Sequence, residues 1–252
     1  AWRAAGIPID IRPIVPVTVE ELSAAHDPDY VMDVLGSLID NGFRNRRPDV
    51  ARSLPFTSGA MLCAARHALE HGVACAPVSG FHHAGYAQAS GYCTFNGLIV
   101  TAVRLLAEGK VRRIMILDAD MHLGNGTDEL IERLALADKV DNISLARWFA
   151  TPAQGQRYLD CIERESARFN QYNLVIYQAG ADVHVDDPLG GILTTEQMRI
   201  RDEIVFKAAC SAATPLAWNL AGGYQKPLSV LLALHTQTMR ECAKAYIGKR
   251  TV

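Results

Sequence analysis

The chain of 252 residues has no stretch long and apolar enough to span a membrane, and its first residues, Ala1-Trp2-Arg3, carry no signal-peptide pattern. It has no excess of basic charge either. Twenty-five Lys and Arg stand against 27 Asp and Glu, a net of −2, so no broad cationic face is expected to hold nucleic acid. The short cluster Arg44-Asn45-Arg46-Arg47 reads as a solvated loop. CxxC pairs are absent: the six cysteines, Cys63, Cys75, Cys93, Cys161, Cys210 and Cys242, are scattered and several lie within apolar stretches. That suits reduced thiols in a cytoplasmic protein better than a disulfide frame or a structural zinc site. There is no repeat, low-complexity tract or linker, which leaves one domain over 1–252 as the simplest organisation.

What is present is alternation. Apolar runs of strand length occur at Val73–Val78, Arg113–Leu117, Leu174–Gln178 and Pro215–Leu220. Between and around them, helical patterns cover Val17–Leu35, Ser58–Gly72, Asn96–Gly109, Glu129–Leu136, Gln156–Phe169, Thr195–Ala212 and Pro227–Ala245. Strands alternating with helices predict an α/β fold with a central, mainly parallel sheet and helices on both faces. In such sheets ligands bind beyond the carboxyl ends of the strands, and each polar motif of this chain falls at such an end.

The densest motif is Asp118-Ala119-Asp120-Met121-His122-Leu123-Gly124-Asn125-Gly126, after the strand ending at Leu117. In an extended chain Asp120 and His122 can converge on one cation, whereas Asp118 lies about 13 Å from His122 unless the backbone curls. Asp118 is therefore expected to support rather than ligate. Ser79-Gly80-Phe81-His82-His83-Ala84-Gly85 follows an earlier strand, and adjacent histidines can serve one site only from an irregular loop. Gly180-Ala181-Asp182 offers Asp182 as a third ligand, and Gly222-Gly223-Tyr224 offers a phenol. Each motif alone also reads as an ordinary capping or packing turn. Together, Asp120, His122 and Asp182 would leave a fourth position open on zinc, as in a catalytic site. His82, His83 and Tyr224 could then supply a base for water, an acid for the leaving amine and a donor for the oxyanion. Asp118 would orient His82, and Asn125 would partner His83 without adding charge.

In order and content these motifs resemble the histone deacetylase family of the arginase/deacetylase superfamily, from about Thr18 almost to the C-terminus. The paired histidines, Ser90-Gly91-Tyr92-Cys93, the Asp118–Gly126 run, Gly180-Ala181-Asp182, Asp187-Pro188-Leu189-Gly190 and Gly222-Gly223-Tyr224 carry the likeness, closest to small class IV and bacterial members. The resemblance implies a three-layer arginase/deacetylase-like catalytic domain that holds zinc through Asp120, His122 and Asp182. It further implies that His82 and His83 are acid/base groups and that Tyr224 polarises the acyl carbonyl. Phe81, Gly91, Tyr92 and Gly223 would meet the substrate, and K+ would sit near Asp118, Asp120 and His122.

Some features depart from the family pattern. Asn125 stands where class I members have Asp, so a different pH dependence is expected. The family's first strand has no counterpart before Ala1, the stretch from Leu145 to Asn173 is short, and Arg52–Thr57 offers no acidic rim residue. An acyl-amine small molecule or acetylated lysine is the expected partner, with self-association left open. Competing readings are a two-manganese ureohydrolase of the same fold and a catalytically silent acyl-ligand binder.

Overall fold

The computed structural model describes residues 1–247. Five parallel strands form one sheet in the order β1-β5-β4-β2-β3: β1 Val73–Ala76, β2 Ile114–Asp118, β3 Val140–Ser144, β4 Leu174–Gln178 and β5 Leu216–Asn219. Successive residues of a strand face opposite ways, and both faces of this sheet are apolar. Ile114, Ile116, Leu174, Ile176 and Ala217 pack into one core with α1 Val19–Ser23, α2 Pro28–Leu35, α3 Pro48–His71, α4 Gly97–Ala107 and α5 Asn125–Arg133. Met115, Leu117, Val175, Tyr177, Leu216 and Trp218 pack into the other with α6 Gly155–Ser166, α7 Thr195–Ser211 and α8 Leu228–Ile247. The result is the three-layer α/β arrangement expected from the alternating pattern.

Four details differ from the sequence reading. The single helix expected over Val17–Leu35 is two, because Asp27 caps a new start through its side chain and Pro28 supplies the first turn. Helix α3 begins at Pro48, ten residues before the expected Ser58, and runs through Pro55. The carbonyl of Pro55 accepts from the backbone N–H of Val17, which ties the extended N-terminal segment to this helix. Strand β3 was not expected, since Asp141 and Asn142 interrupt its apolar pattern; as the edge strand it bonds only to β2. Helix α6 ends at Ser166, and Phe169 belongs to a separate 3₁₀ turn.

Candidate active site

The site assembles where β2, β4 and β5 end. Asp118, the last residue of β2, is fully buried and takes three hydrogen bonds. Its Oδ2 accepts from His82 Nδ1 at 2.8 Å, and its Oδ1 accepts from Gln178 Nε2 at 3.0 Å and from the Asp120 backbone N–H at 3.3 Å. Asn219 Nδ2 in turn donates to Gln178 Oε1, so the ends of three neighbouring strands are locked side to side. The carboxylate therefore faces His82 and the strand ends.

Beyond the strand the chain curls. Asp120, His122 and Asp182 each present a ligand atom, all within 4.8 Å of one another. His122 Nδ1 lies 3.0 Å from Asp182 Oδ2 and 3.2 Å from Asp120 Oδ1. Backbone N–H groups aim the carboxylates: Met121 donates to Asp182 Oδ1 at 3.0 Å and Gly222 to Asp120 Oδ2 at 2.7 Å. Gly222 has to be glycine here, because a Cβ would sit on Asp182 Oδ2 and lie 2.7 Å from Asp120 Oδ2. Burial, followed by the Asp120 charge, pushes the Asp182 carboxyl up. Asp120 is held low despite its burial, chiefly by His82 and His122. Hydrogen bonds to Asp120 and then Asp182 push His122 up to about 10. Two buried carboxylates thus converge on a point that calls for positive charge. An oxygen–nitrogen–oxygen donor set of this kind fits zinc with a position left open.

Two imidazoles flank this cluster, with ring centroids 4.1 Å apart. Their environments push them in opposite directions. His82 is deeply buried, which alone would lower it, yet the Asp118 and Asp120 charges and the Asp118 hydrogen bond lift it to about 9. His83 donates through Nδ1 to the neutral Oδ1 of Asn125 at 2.7 Å; burial and then the neighbouring His82 hold it below the ordinary imidazole value. Across the cavity, Tyr224 is fixed by its backbone N–H, which donates to Asp187 Oδ2 at 2.8 Å, and burial followed by the nearby Asp120 charge raises its phenol. Tyr92, 53% exposed and at φ 63°, packs with its ring tilted 5.9 Å from the Tyr224 ring and 6.1 Å from that of Phe43. An aromatic ladder leads from the cavity to the surface. Gly91, at φ 52°, lets this turn press against His83, into whose ring a Cβ would project.

The structure thus brings His82, His83, Tyr224, Phe81, Gly91, Tyr92, Asp120 and His122 around one cavity, with Asp118, Asn125 and Asp182 bonded directly behind. Gly223, expected at the substrate, turns away toward Leu231 and Ala181, while Gly222 faces the cavity. The sequence reading missed Arg201 of α7. It is 0% exposed, stacks over Tyr177, pairs with Asp202 and donates through Nη1 to the carbonyls of Gly180 at 2.7 Å and Ala119 at 3.4 Å. Tyr158 also donates to Ala119 O, at 3.1 Å. A buried cation and a phenol therefore brace the backbone just before Asp120 and Asp182. A helical signal existed, since Met198, Arg201, Asp202 and Val205 share the apolar stripe of α7.

Comparison with known proteins follows this geometry. Residues 7–155 match the histone deacetylase domain. The chain is 30% identical over 250 residues to an uncharacterized protein of Picosynechococcus sp., covering 89% of this chain and 82% of that one. It is 29% identical over 194 residues to histone deacetylase 2 of Arabidopsis thaliana, covering 69% of this chain and half of the plant protein's length. The crystal structure of an acetylpolyamine aminohydrolase from Burkholderia pseudomallei superposes with a TM-score of 0.72 at 19% identity, over 96% of this chain and 87% of that one, and so shares the fold. On the domain match, which spans more than half of its residues, this chain belongs to the histone deacetylase family.

Proposed function

We propose that the protein is a zinc-dependent deacylase, hydrolysing the amide of an acetylated lysine, an acetylated polyamine or a related acyl-amine. The observation that carries this reading is the convergence, on one cavity, of the Asp120–His122–Asp182 donor set with two imidazoles, His82 held on the Asp118 carboxylate and His83 on the neutral Asn125 amide, so that the carboxylates lift His82 despite its burial while burial lowers His83. Groups pushed apart in this way are suited to separate acid and base roles. When bound by those three residues, zinc would supply Lewis acidity toward the acyl carbonyl and water. His83, neutral near neutral pH, takes the proton of the attacking water through its Nε2. His82, kept charged by Asp118, stabilises the negative charge that develops and holds its own Nδ1 proton on Asp118. The Tyr224 hydroxyl stays protonated and donates to the oxyanion. The protonated His83 then returns its proton to the departing amine. Phe81, Gly91 and Tyr92 flank the acyl-amine, and K+ near Asp118, Asp120 and His122 completes the proposal.

The two-manganese alternative finds less support, because only Asp120, His122 and Asp182 cluster at this site among the described residues. Asp118 is already engaged by His82 and Gln178. We place the protein in the cytoplasm on its scattered cysteines, which form no CxxC pair; among the described residues no helix is long and apolar enough to cross a membrane. The test is amine release from acetyl-lysine peptides, acetylated polyamines and longer acyl-lysines by zinc-loaded protein, with and without chelator. Chelator-sensitive turnover restored by zinc is expected. Silence across the panel with zinc bound would sink the deacylase reading.

A further inference from the structure

The geometry points to a second metal site, on the outer surface of α3, formed by His67, Glu70 and His71 and suited to a divalent transition metal such as Zn2+, Ni2+ or Cu2+. His67 and His71 are one turn apart and lie on the same helix face. Their rings stack with centroids 5.6 Å apart at an interplanar angle of 28°. Glu70 Oε2 lies 3.7 Å from His71 Nε2, and one ligand atom from each of the three residues falls within 4.8 Å of the other two. Donors around a tetrahedral zinc stand about 3.4 Å apart, given zinc–nitrogen bonds of about 2.1 Å. Small rotations close that gap, and they are available because the side chains of His71 and Glu70 are 61% and 71% exposed. Water would complete the coordination sphere.

Two further features favour a cation here. The cluster occupies the last turn of a 24-residue helix, where the unpaired carbonyls leave partial negative charge. The donors are two imidazoles and one carboxylate, a set that favours borderline metals over Ca2+ or Mg2+. The site is also remote from the first one. His71 leads through Gly72 into the amino end of β1, whereas the Asp120 cluster lies beyond the carboxyl ends of the strands. The two metals would thus lie at opposite ends of the strands, independently of what the cavity catalyses.

The test uses the untagged full chain. Zinc titrated calorimetrically into protein already holding one equivalent should show a second, weaker equivalent. His67→Gln and His71→Gln should each weaken it tenfold or more while sparing the first equivalent and turnover. Cu2+ added to the same zinc-loaded protein should give an electron paramagnetic resonance spectrum with coupling to two nitrogens, reduced to one in either variant. Absence of the second equivalent, or its persistence unchanged in both variants, would overturn the assignment.

Discussion

Replacing Asn125 by Asp would put a carboxylate where a neutral amide oxygen now accepts the His83 Nδ1 proton across 2.7 Å. The neighbouring imidazole indicates what such a change does. His82 sits at 2.8 Å from the Asp118 carboxylate and, although far more buried, is lifted to about 9, whereas His83 is lowered. With charge centres about 4 Å apart and an effective dielectric between about 20 and 80, the added attraction is about 1–4 kcal/mol. That corresponds to about 1–3 pKa units. His83 is partly exposed, so screening favours the lower part of the range, about 1–2 units. If neutral His83 accepts the proton of water, activity is lost as pH falls through its pKa. The acid limb of kcat/KM in Asn125→Asp should therefore move upward by about 1–2 pH units. Activity near pH 6 would drop while activity near pH 8 holds. The assay is kcat/KM against pH for an acetyl-lysine peptide, paired with carbon-detected NMR titration of the histidine rings and zinc analysis at each pH. A ring titration that moves without the acid limb would remove His83 as the base. A ring titration that stays put would refute the electrostatic account itself.

Other perturbations probe separate parts of the molecule. Tyr224→Phe should keep zinc and lose about 10²–10³-fold in kcat, as expected for one oxyanion donor; unchanged turnover would take the phenol out of the mechanism. Gly222→Ala forces a methyl group onto the Asp182 and Asp120 carboxylates and should weaken zinc binding by about 10–100-fold, read by competition with a chromogenic chelator; unaltered affinity would show that this turn does not shape the site. His26 is buried, donates through Nδ1 to Gly85 O and accepts the Asn96 N–H at Nε2, so the fold holds it neutral, and burial lowers it to about 4. With its folded pKa below the unfolded value of about 6.5, the unfolded chain protonates first on acidification. Stability should then fall by up to about 3 kcal/mol between about pH 6.5 and pH 4. Urea unfolding at several pH values measures it, and a His26→Gln variant that kept the same acid slope would contradict the assignment.

What could be read from the sequence was what is local. Asp118 to Gly126 follows one strand directly, so its donors, its turn and its place at a carboxyl end were legible together. The buried strands β2 and β4 announced themselves by uninterrupted apolar runs. Elements whose logic is tertiary were not legible. β3 is an edge strand only half apolar, and α3 passes through a proline that a sequence pattern treats as a stop. Arg201 reads as one more charged residue of a helix until the carbonyls of Ala119 and Gly180 arrive beside it from two other strands. The choice between Gly222 and Gly223 turns on a single peptide's orientation, which adjacent identical letters do not encode.

The strand order has a consequence for how the molecule comes into being. β1 and β2 are made early, yet they are never neighbours; β5 and β4, which appear late in the chain, lie between them. A nascent chain extending to residue 155 would already carry both imidazoles of the cavity, Asp120 and His122, but β1 would have no strand beside it and Asp182 would not yet exist. Asp182, the third proposed ligand, arrives when β4 joins β2, whereas the sheet closes only later, when β5 enters between β1 and β4. An arrested or truncated chain should bind zinc poorly and expose both apolar faces to the cell's chaperones.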